Sequence, residues 1–94
     1  MITTVVLSKV VTKSLRKLPQ HVVDKLLAWA TSVEKVGLEV VRRVPGYHDE
    51  PLTGARTGQR SIRLSRAYRA FYLIERDAVR MEFVRVTAVN KHEY

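Results

Sequence analysis

The chain has 94 residues, and its hydrophobic content of 46% is typical of one globular domain over residues 1–94 rather than a disordered segment. It contains no cysteine, which excludes disulfides and thiolate metal sites. The formal net charge of +8 favours an anionic partner such as a nucleic acid. No apolar block is long enough for a signal peptide or a membrane span, so we expect a cytoplasmic protein with no membrane partner.

The first part of the chain predicts one strand followed by two helices. Residues 2–7 are short and rich in β-branched side chains, as in a strand. Apolar residues then recur at helical spacing over residues 8–18, and Pro19 ends this helix. A second apolar stripe predicts a helix over residues 20–36, with Gly37 as its C-terminal cap. Two helices joined by one proline form an antiparallel hairpin, whose apolar face needs a sheet to cover.

The middle of the chain has weaker signals. Residues 38–44 fit either a further helical turn or an extended linker. Residues 45–58 are rich in glycine, proline and polar side chains and have no period, which predicts a loop. A loop of this length in a small domain is typically functional.

Three strands are predicted after this loop. Residues 60–65 alternate apolar and polar side chains, whereas residues 68–75 are apolar on both faces, as in a central strand. A turn at residues 76–78 leads to a last strand over residues 79–89. There the alternation changes phase near Val84, which indicates a bulge.

A helical alternative exists for part of this region, because four arginines recur at intervals of three: Arg60, Arg63, Arg66 and Arg69. The intervening apolar residues form no opposite stripe, and Ile, Ser, Tyr and Phe are mediocre helix formers, so strands are favoured. We therefore predict an α+β fold with two N-terminal helices packed on a four-stranded, mainly antiparallel sheet, in the order β-α-α-β-β-β. The sheet face away from the helices is left for Arg63 and Arg69.

Residues 50–69 combine one carboxylate, that of Glu50, with five arginines: Arg56, Arg60, Arg63, Arg66 and Arg69. An unpaired guanidinium is costly to bury, whereas its fork of donors matches phosphate oxygens. The segment therefore predicts a surface that binds an RNA backbone. An ordinary solvated basic surface and a surface for an acidic protein partner are the alternatives.

Four short motifs follow one another: Glu50-Pro51-Leu52-x-Gly54, Gly58-x-x-Ser61-x-Arg63, Tyr68-Arg69-x-x-Tyr72 and the final His92-Glu93-Tyr94. In this order they resemble the RelE superfamily of bacterial toxins, and above all its YoeB-like branch. The KSLRKLP run at residues 13–19 is also similar to the first helix of that family. The resemblance covers nearly the whole chain and implies the RelE-like microbial RNase fold.

The resemblance implies a toxin of a type II toxin–antitoxin system, a ribosome-dependent mRNA endoribonuclease that inhibits translation without a metal or other cofactor. The 2′-hydroxyl of the RNA attacks the adjacent phosphate. By resemblance, Glu50 is the general base, Arg63 and Arg69 bind the phosphate, and His92 and Tyr94 supply the acid and stacking groups. That branch ends His-Tyr, whereas Glu93 intervenes here, so either His92 or residue 93 fills the place of the acid.

The residues themselves fit this chemistry, because internal attack needs a base, cations near the phosphorane and an acid for the leaving oxygen. Arg63 and Arg69 lie on neighbouring predicted strands and can converge on one phosphate if they share a face. His92 can donate a proton near neutral pH, and Tyr94 can stack on a base. Four more residues are predicted to contact RNA: Arg56, Arg60, Arg66 and Lys91.

Each assignment has a structural alternative. The alternative for Glu50 is a loop ion pair with Arg56 or Arg60. The alternative for the strand arginines is a polar ladder, and that for the C-terminal side chains is ordinary solvation. Scattered histidines without cysteine do not make a metal site. At the level of function, the alternatives are a non-catalytic toxin of the same fold that inhibits gyrase, like the ParE group, and a simple RNA-binding module.

The predicted partners are the ribosome with its mRNA and an acidic antitoxin, which forms a toxin–antitoxin hetero-oligomer with the chain. The antitoxin is expected to cover the arginine-bearing face or the helical hairpin through an acidic segment.

Overall fold

A strand, three helices and four further strands follow one another in the computed structural model, which describes residues 1–86. The elements are β1 (Thr4–Leu7), α1 (Lys9–Ser14), α2 (Gln20–Val36), α3 (Leu38–Val41), β2 (Glu50–Pro51), β3 (Gln59–Arg63), β4 (Tyr68–Glu75) and β5 (Ala78–Val86). Two 3₁₀ turns, Pro45–Tyr47 and Gly54–Arg56, flank β2. No helix within residues 1–86 is long and apolar enough to cross a bilayer.

The five strands form one sheet in the order β1-β5-β4-β3-β2, parallel between β1 and β5 and antiparallel elsewhere. This confirms the predicted α+β class with its mainly antiparallel sheet. The sheet has five strands instead of the predicted four. The additional strand is β2, in which Glu50 and Pro51 of the predicted loop pair with Ser61 and Arg60 of β3. Two residues carry no detectable alternation, so such a strand is visible only through its partner.

The helices follow the predicted hairpin with one difference. α2 has the predicted bounds, and it ends at Gly37, whose φ of 93° is one that L side chains rarely adopt. A Cβ at this position would also lie 2.5 Å from the Met1 side chain. α1 ends at Ser14 rather than at residue 18, because Pro19 disfavours helical backbone before it and the chain must reverse direction into α2.

The helices cover one face of the sheet, which we call the inner face. The apolar stripe of α2 shares one core with buried residues of β3, β4 and β5, and the Trp29 and Tyr72 rings meet at 5.2 Å between centroids. The largest fully buried side chains of this core are Trp29, Tyr72, Leu26, Leu38, Ile62 and Met81. Burial of these residues supplies the main driving force for the fold.

The β4–β5 hairpin contains the predicted bulge, at Glu82 rather than near Val84. Phe71 opposes Phe83 while Tyr72 opposes Met81, so Glu82 is the extra residue. The bulge places Met81 in the core and Phe83 on the opposite, outer face, which unbroken alternation would not allow. It therefore decides which side chains of β5 reach the outer face.

Candidate nucleic-acid interface

Two rows of side chains cross the outer face of the sheet. Arg63, Arg69 and Arg85 oppose one another on β3, β4 and β5, and we call them the arginine row. The adjacent row runs across four strands and consists of Glu50, Ser61, Phe71 and Phe83. Directly opposed side chains have Cβ atoms about 5 Å apart, so each row is continuous.

Arg69 is held at the centre of this face by three groups. Its Nε donates to Ser61 Oγ at 3.0 Å, and its Nη2 donates to the His48 carbonyl oxygen at 2.9 Å. The same Nη2 lies 3.5 Å from Glu50 Oε1. The Arg69 side chain is only 19% exposed, whereas that of Glu50 is 62% exposed. The carboxylate therefore lies beside a fixed guanidinium and remains open to a ligand.

The residue before Glu50 is fixed on the other side of the sheet. The Asp49 side chain is fully buried and accepts hydrogen bonds from Arg60 Nε at 2.6 Å and Tyr72 Oη at 2.5 Å. We call these three residues the Asp49 anchor. Consecutive residues of extended backbone point to opposite faces, so the inward side chain of Asp49 directs Glu50 outward.

Charge and burial shift two pKa values in the anchor. Burial lowers the pKa of Arg60, but its hydrogen bond to Asp49 and the charge of that carboxylate outweigh this, and the net shift is upward. Burial, reinforced by the bond to Asp49, raises the pKa of Tyr72 far above its ordinary value. At neutral pH the anchor therefore contains a cationic Arg60 and a neutral Tyr72 phenol that donates to Asp49.

A second cluster of aromatic and guanidinium groups lies beside the arginine row. The Phe71 and Phe83 rings are stacked at 4.6 Å between centroids with an interplanar angle of 18°. The guanidinium carbon of Arg56 lies 4.6 Å from the Phe83 centroid, and that of Arg85 lies 5.4 Å from the Phe71 centroid. We call these four residues the Phe–Arg cluster.

The structure brings three of the predicted catalytic residues together: Glu50, Arg63 and Arg69. Arg63 is exposed, opposes Arg69 directly, and has no side-chain hydrogen bond or ion pair within residues 1–86. The carboxylate of Glu50 pairs with Arg69 rather than with Arg56 or Arg60, the partners considered from the sequence. The catalytic roles of these residues remain predictions.

The predicted RNA contacts are distributed more widely. Arg56 lies in the Phe–Arg cluster, and Arg66 is exposed in the β3–β4 turn. Arg60 faces the inner side, because it shares strand parity with buried Ile62, and its charge is engaged by Asp49. Its RNA contact also remains a prediction. The other predicted residues, Lys91, His92 and Tyr94, lie outside the described residues.

Four residues of the interface were not identified from the sequence: Asp49, Phe71, Phe83 and Arg85. Ser61 belonged to a motif, but its contact with Arg69 was not predicted. The inward direction of Asp49 could have been inferred from the sequence, because a residue next to the outward-facing Glu50 in extended backbone must face inward. Arg85 could be assigned to the outer face only after the bulge was placed at Glu82.

The chain was compared with known proteins through its sequence and its structure. No protein-family model and no curated protein sequence matches it. Among solved structures, the toxin–antitoxin complex RelBE2 of Mycobacterium tuberculosis matches with a TM-score of 0.67 and 22% identity, covering 93% of this chain and 100% of that chain. The archaeal RelE–RelB complex of Pyrococcus horikoshii OT3 matches with a TM-score of 0.71 and 24% identity, covering 94% and 98%.

A third match is the heterotetrameric YoeB–YefM toxin–antitoxin complex of Staphylococcus aureus, with a TM-score of 0.68, 15% identity and coverage of 89% of this chain and 95% of that chain. These likenesses define the class of the fold. The chain has the RelE-like α+β fold that RelE- and YoeB-type toxins share, and the resemblance read from its motifs is confirmed at the level of the fold.

Proposed function

We propose that this chain is the toxin of a type II toxin–antitoxin pair and an endoribonuclease that cleaves mRNA on the ribosome. The observation that carries the proposal is the position of Glu50, an exposed carboxylate 3.5 Å from the Arg69 guanidinium and next to exposed Arg63. A base and two cations around one point are the groups that internal phosphodiester cleavage requires.

In the proposed reaction, Glu50 removes the proton of the 2′-hydroxyl, whose oxygen then attacks the adjacent phosphorus. Arg63 and Arg69 bind the non-bridging oxygens, where negative charge grows in the transition state. His92 protonates the departing 5′-oxygen, and Tyr94 stacks on a neighbouring base. Like charges directly opposed on neighbouring strands destabilise a sheet, so the arginine row suits a protein that binds a polyanion there.

The partner of the chain is proposed to be an acidic antitoxin. The RelBE2 and YoeB–YefM relatives are toxin–antitoxin complexes. Complementary charge steers association and favours the correct partner, and the outer face offers cations from four arginines for an acidic segment to cover: Arg56, Arg63, Arg69 and Arg85.

Primer extension on a message translated in a reconstituted system tests the reaction. The wild-type protein is expected to create new 5′ ends within the coding region. Glu50→Gln should lower the cleavage rate by about 10²- to 10⁴-fold, the usual contribution of a general base, while binding to ribosomes persists. Arg16→Ala, a charge removed from the turn after α1, is the matched control and should cleave as the wild type does.

Three other outcomes identify the alternatives. Cleavage that is unaffected by Glu50→Gln contradicts the proposed base. Ribosome binding without any cleavage indicates an RNA-binding module. Inhibition of gyrase supercoiling by the wild type and Glu50→Gln alike, with no RNA cleavage, indicates a ParE-like toxin.

A further inference from the structure

Arg85 is the member of the arginine row that the proposed reaction leaves unused. It opposes Arg69 on β5, two strands away from Arg63. Two strand spacings amount to roughly 10 Å between the backbones of β3 and β5. The row is therefore wide enough to contact more than one phosphate of an RNA chain.

The Phe–Arg cluster fixes the position of Arg85 and of a second guanidinium, that of Arg56. Both lie over the Phe71–Phe83 stack, at 4.6–5.5 Å from the ring centroids. A guanidinium held against aromatic rings by cation–π attraction keeps N–H groups free to donate to phosphate, and its planar fork fits phosphate oxygens better than an ammonium does. The same pair of rings therefore holds two guanidinium groups, each with donors for a phosphate.

Neither guanidinium is neutralised by a carboxylate. Within residues 1–86, Arg56 and Arg85 have no ion pair. Glu50 is engaged by Arg69, and Glu75 and Glu82 are engaged by Arg80. The two cations of the Phe–Arg cluster thus have no anionic partner among residues 1–86.

We propose that Arg56 and Arg85 form a second phosphate subsite, which binds the RNA phosphate adjacent to the one held by Arg63 and Arg69. The inference rests on the proposed binding of RNA to the outer face and extends it from one phosphate to two. In this arrangement Arg56 and Arg85 set the register of the RNA, so that one defined 2′-hydroxyl reaches Glu50. They are positioning residues rather than catalytic ones.

A binding cycle with uncleavable RNA tests the subsite. The probe is a 2′-O-methyl tetranucleotide, compared with versions in which each phosphodiester in turn is replaced by an uncharged methylphosphonate. Binding is measured by fluorescence anisotropy over a series of salt concentrations. Wild-type protein should lose on the order of tenfold in affinity when the contacted linkage is neutralised, because a hydrogen-bonded charge pair is lost.

Arg85→Ala and Arg56→Ala should each bind the all-phosphodiester probe more weakly, with a salt dependence shallower by roughly 0.7 in slope, the value for one phosphate contact to a single strand. Neutralising the same linkage should then cause a smaller loss than it does in the wild type, because only one of the two guanidinium contacts remains to be lost. Arg85→Lys should keep the wild-type salt dependence but bind more weakly, because it keeps the charge but not the fork. Arg16→Ala should keep the wild-type response, and thermal melting verifies that each variant is folded.

Independent, additive losses from Arg85→Ala and from every methylphosphonate would overturn the subsite, since a direct contact must couple the two changes. The result is separable from the cleavage assay. Coupling between the arginine variants and the neutralised linkage, without RNA cleavage, supports the subsite and refutes the nuclease. RNA cleavage without such coupling supports the nuclease and refutes the subsite.

Discussion

The Tyr72 hydroxyl donates a hydrogen bond to the fully buried carboxylate of Asp49, at 2.5 Å between the two oxygens. Tyr72 belongs to the central strand β4, and Asp49 directly precedes Glu50. Glu50, the proposed base, therefore directly follows a residue that a hydrogen bond from Tyr72 fixes to the core of the sheet. Positioning of this kind is worth large factors in rate, since small displacements of a reacting group are costly.

Asp49→Ala should lower both stability and cleavage. It leaves the phenol of Tyr72 and the Arg60 side chain, which is 21% exposed, without their carboxylate, at a cost of about 2 kcal/mol in the free energy of unfolding. Urea denaturation measures this cost. The matched control is Asp24→Asn, which weakens an exposed hydrogen bond from Gln20 and should change stability by less than about 0.5 kcal/mol. Equal effects of the two substitutions would contradict the anchor.

The wild-type protein should lose stability at alkaline pH, and Tyr72→Phe should make this loss smaller. Burial and the bond to Asp49 raise the pKa of Tyr72 in the folded chain, whereas an unfolded tyrosine titrates near pH 10. The neutral phenol therefore contributes its full stabilisation below about pH 10, and this is lost as the pH rises above that value. Wild-type stability should fall more steeply between about pH 9.5 and 11.5 than that of the variant. Parallel slopes in urea denaturation at these pH values would refute the shift.

The sequence determined the elements whose signals are local. The bounds of α2 were predicted correctly because a long amphipathic stripe lies between Pro19 and Gly37, and those of β4 because an apolar run is followed by a polar turn. The β4–β5 turn is of this kind too, with Arg76 and Asp77 both at positive φ, as in the tight turns that match strand twist.

The features that were missed depend on residues far apart in the chain. The Asp49–Tyr72 bond spans 23 positions, and strand β2 exists only through its pairing with β3. The side assigned to Arg85 depends on the location of the bulge, which hydrophobic alternation indicated two residues too late. Local patterns fix periodicity, but a one-residue error in register moves a side chain to the other face.

Ser8→Ala should destabilise the bulge as well as the start of α1. The Ser8 hydroxyl donates to the Glu82 carbonyl oxygen at 2.7 Å and accepts from the Val11 amide at 3.2 Å. Loss of the helix cap alone costs about 1 kcal/mol, and the bulge contact adds to it. Ser14→Ala is the control, because that hydroxyl bonds only the Val10 carbonyl within its own helix and is expected to be nearly neutral. Chemical denaturation compares the two, and a cost for Ser8→Ala no larger than for Ser14→Ala would contradict the role of the bulge contact.

Arg63→Thr should make the free protein more stable while it weakens RNA binding. Arg63 opposes Arg69 directly and has no ion pair within residues 1–86, so its removal relieves a like-charge contact worth about 0.2–1 kcal/mol. Threonine also suits a strand. Arg80→Thr, on β5, should have the opposite sign, because Arg80 bonds Glu82 at 2.8 Å and lies 3.8 Å from Glu75.

The salt dependence distinguishes this repulsion from a packing effect. Melting temperatures at low ionic strength should be higher for Arg63→Thr than for the wild type, and the difference should shrink as salt screens the charges. Added 2′-O-methyl RNA should raise the wild-type melting temperature more than that of the variant, since only the wild type keeps the cation that the ligand neutralises. A gain that is independent of salt, or equal stabilisation of both proteins by RNA, would show that the arginine row is not a strained anion site.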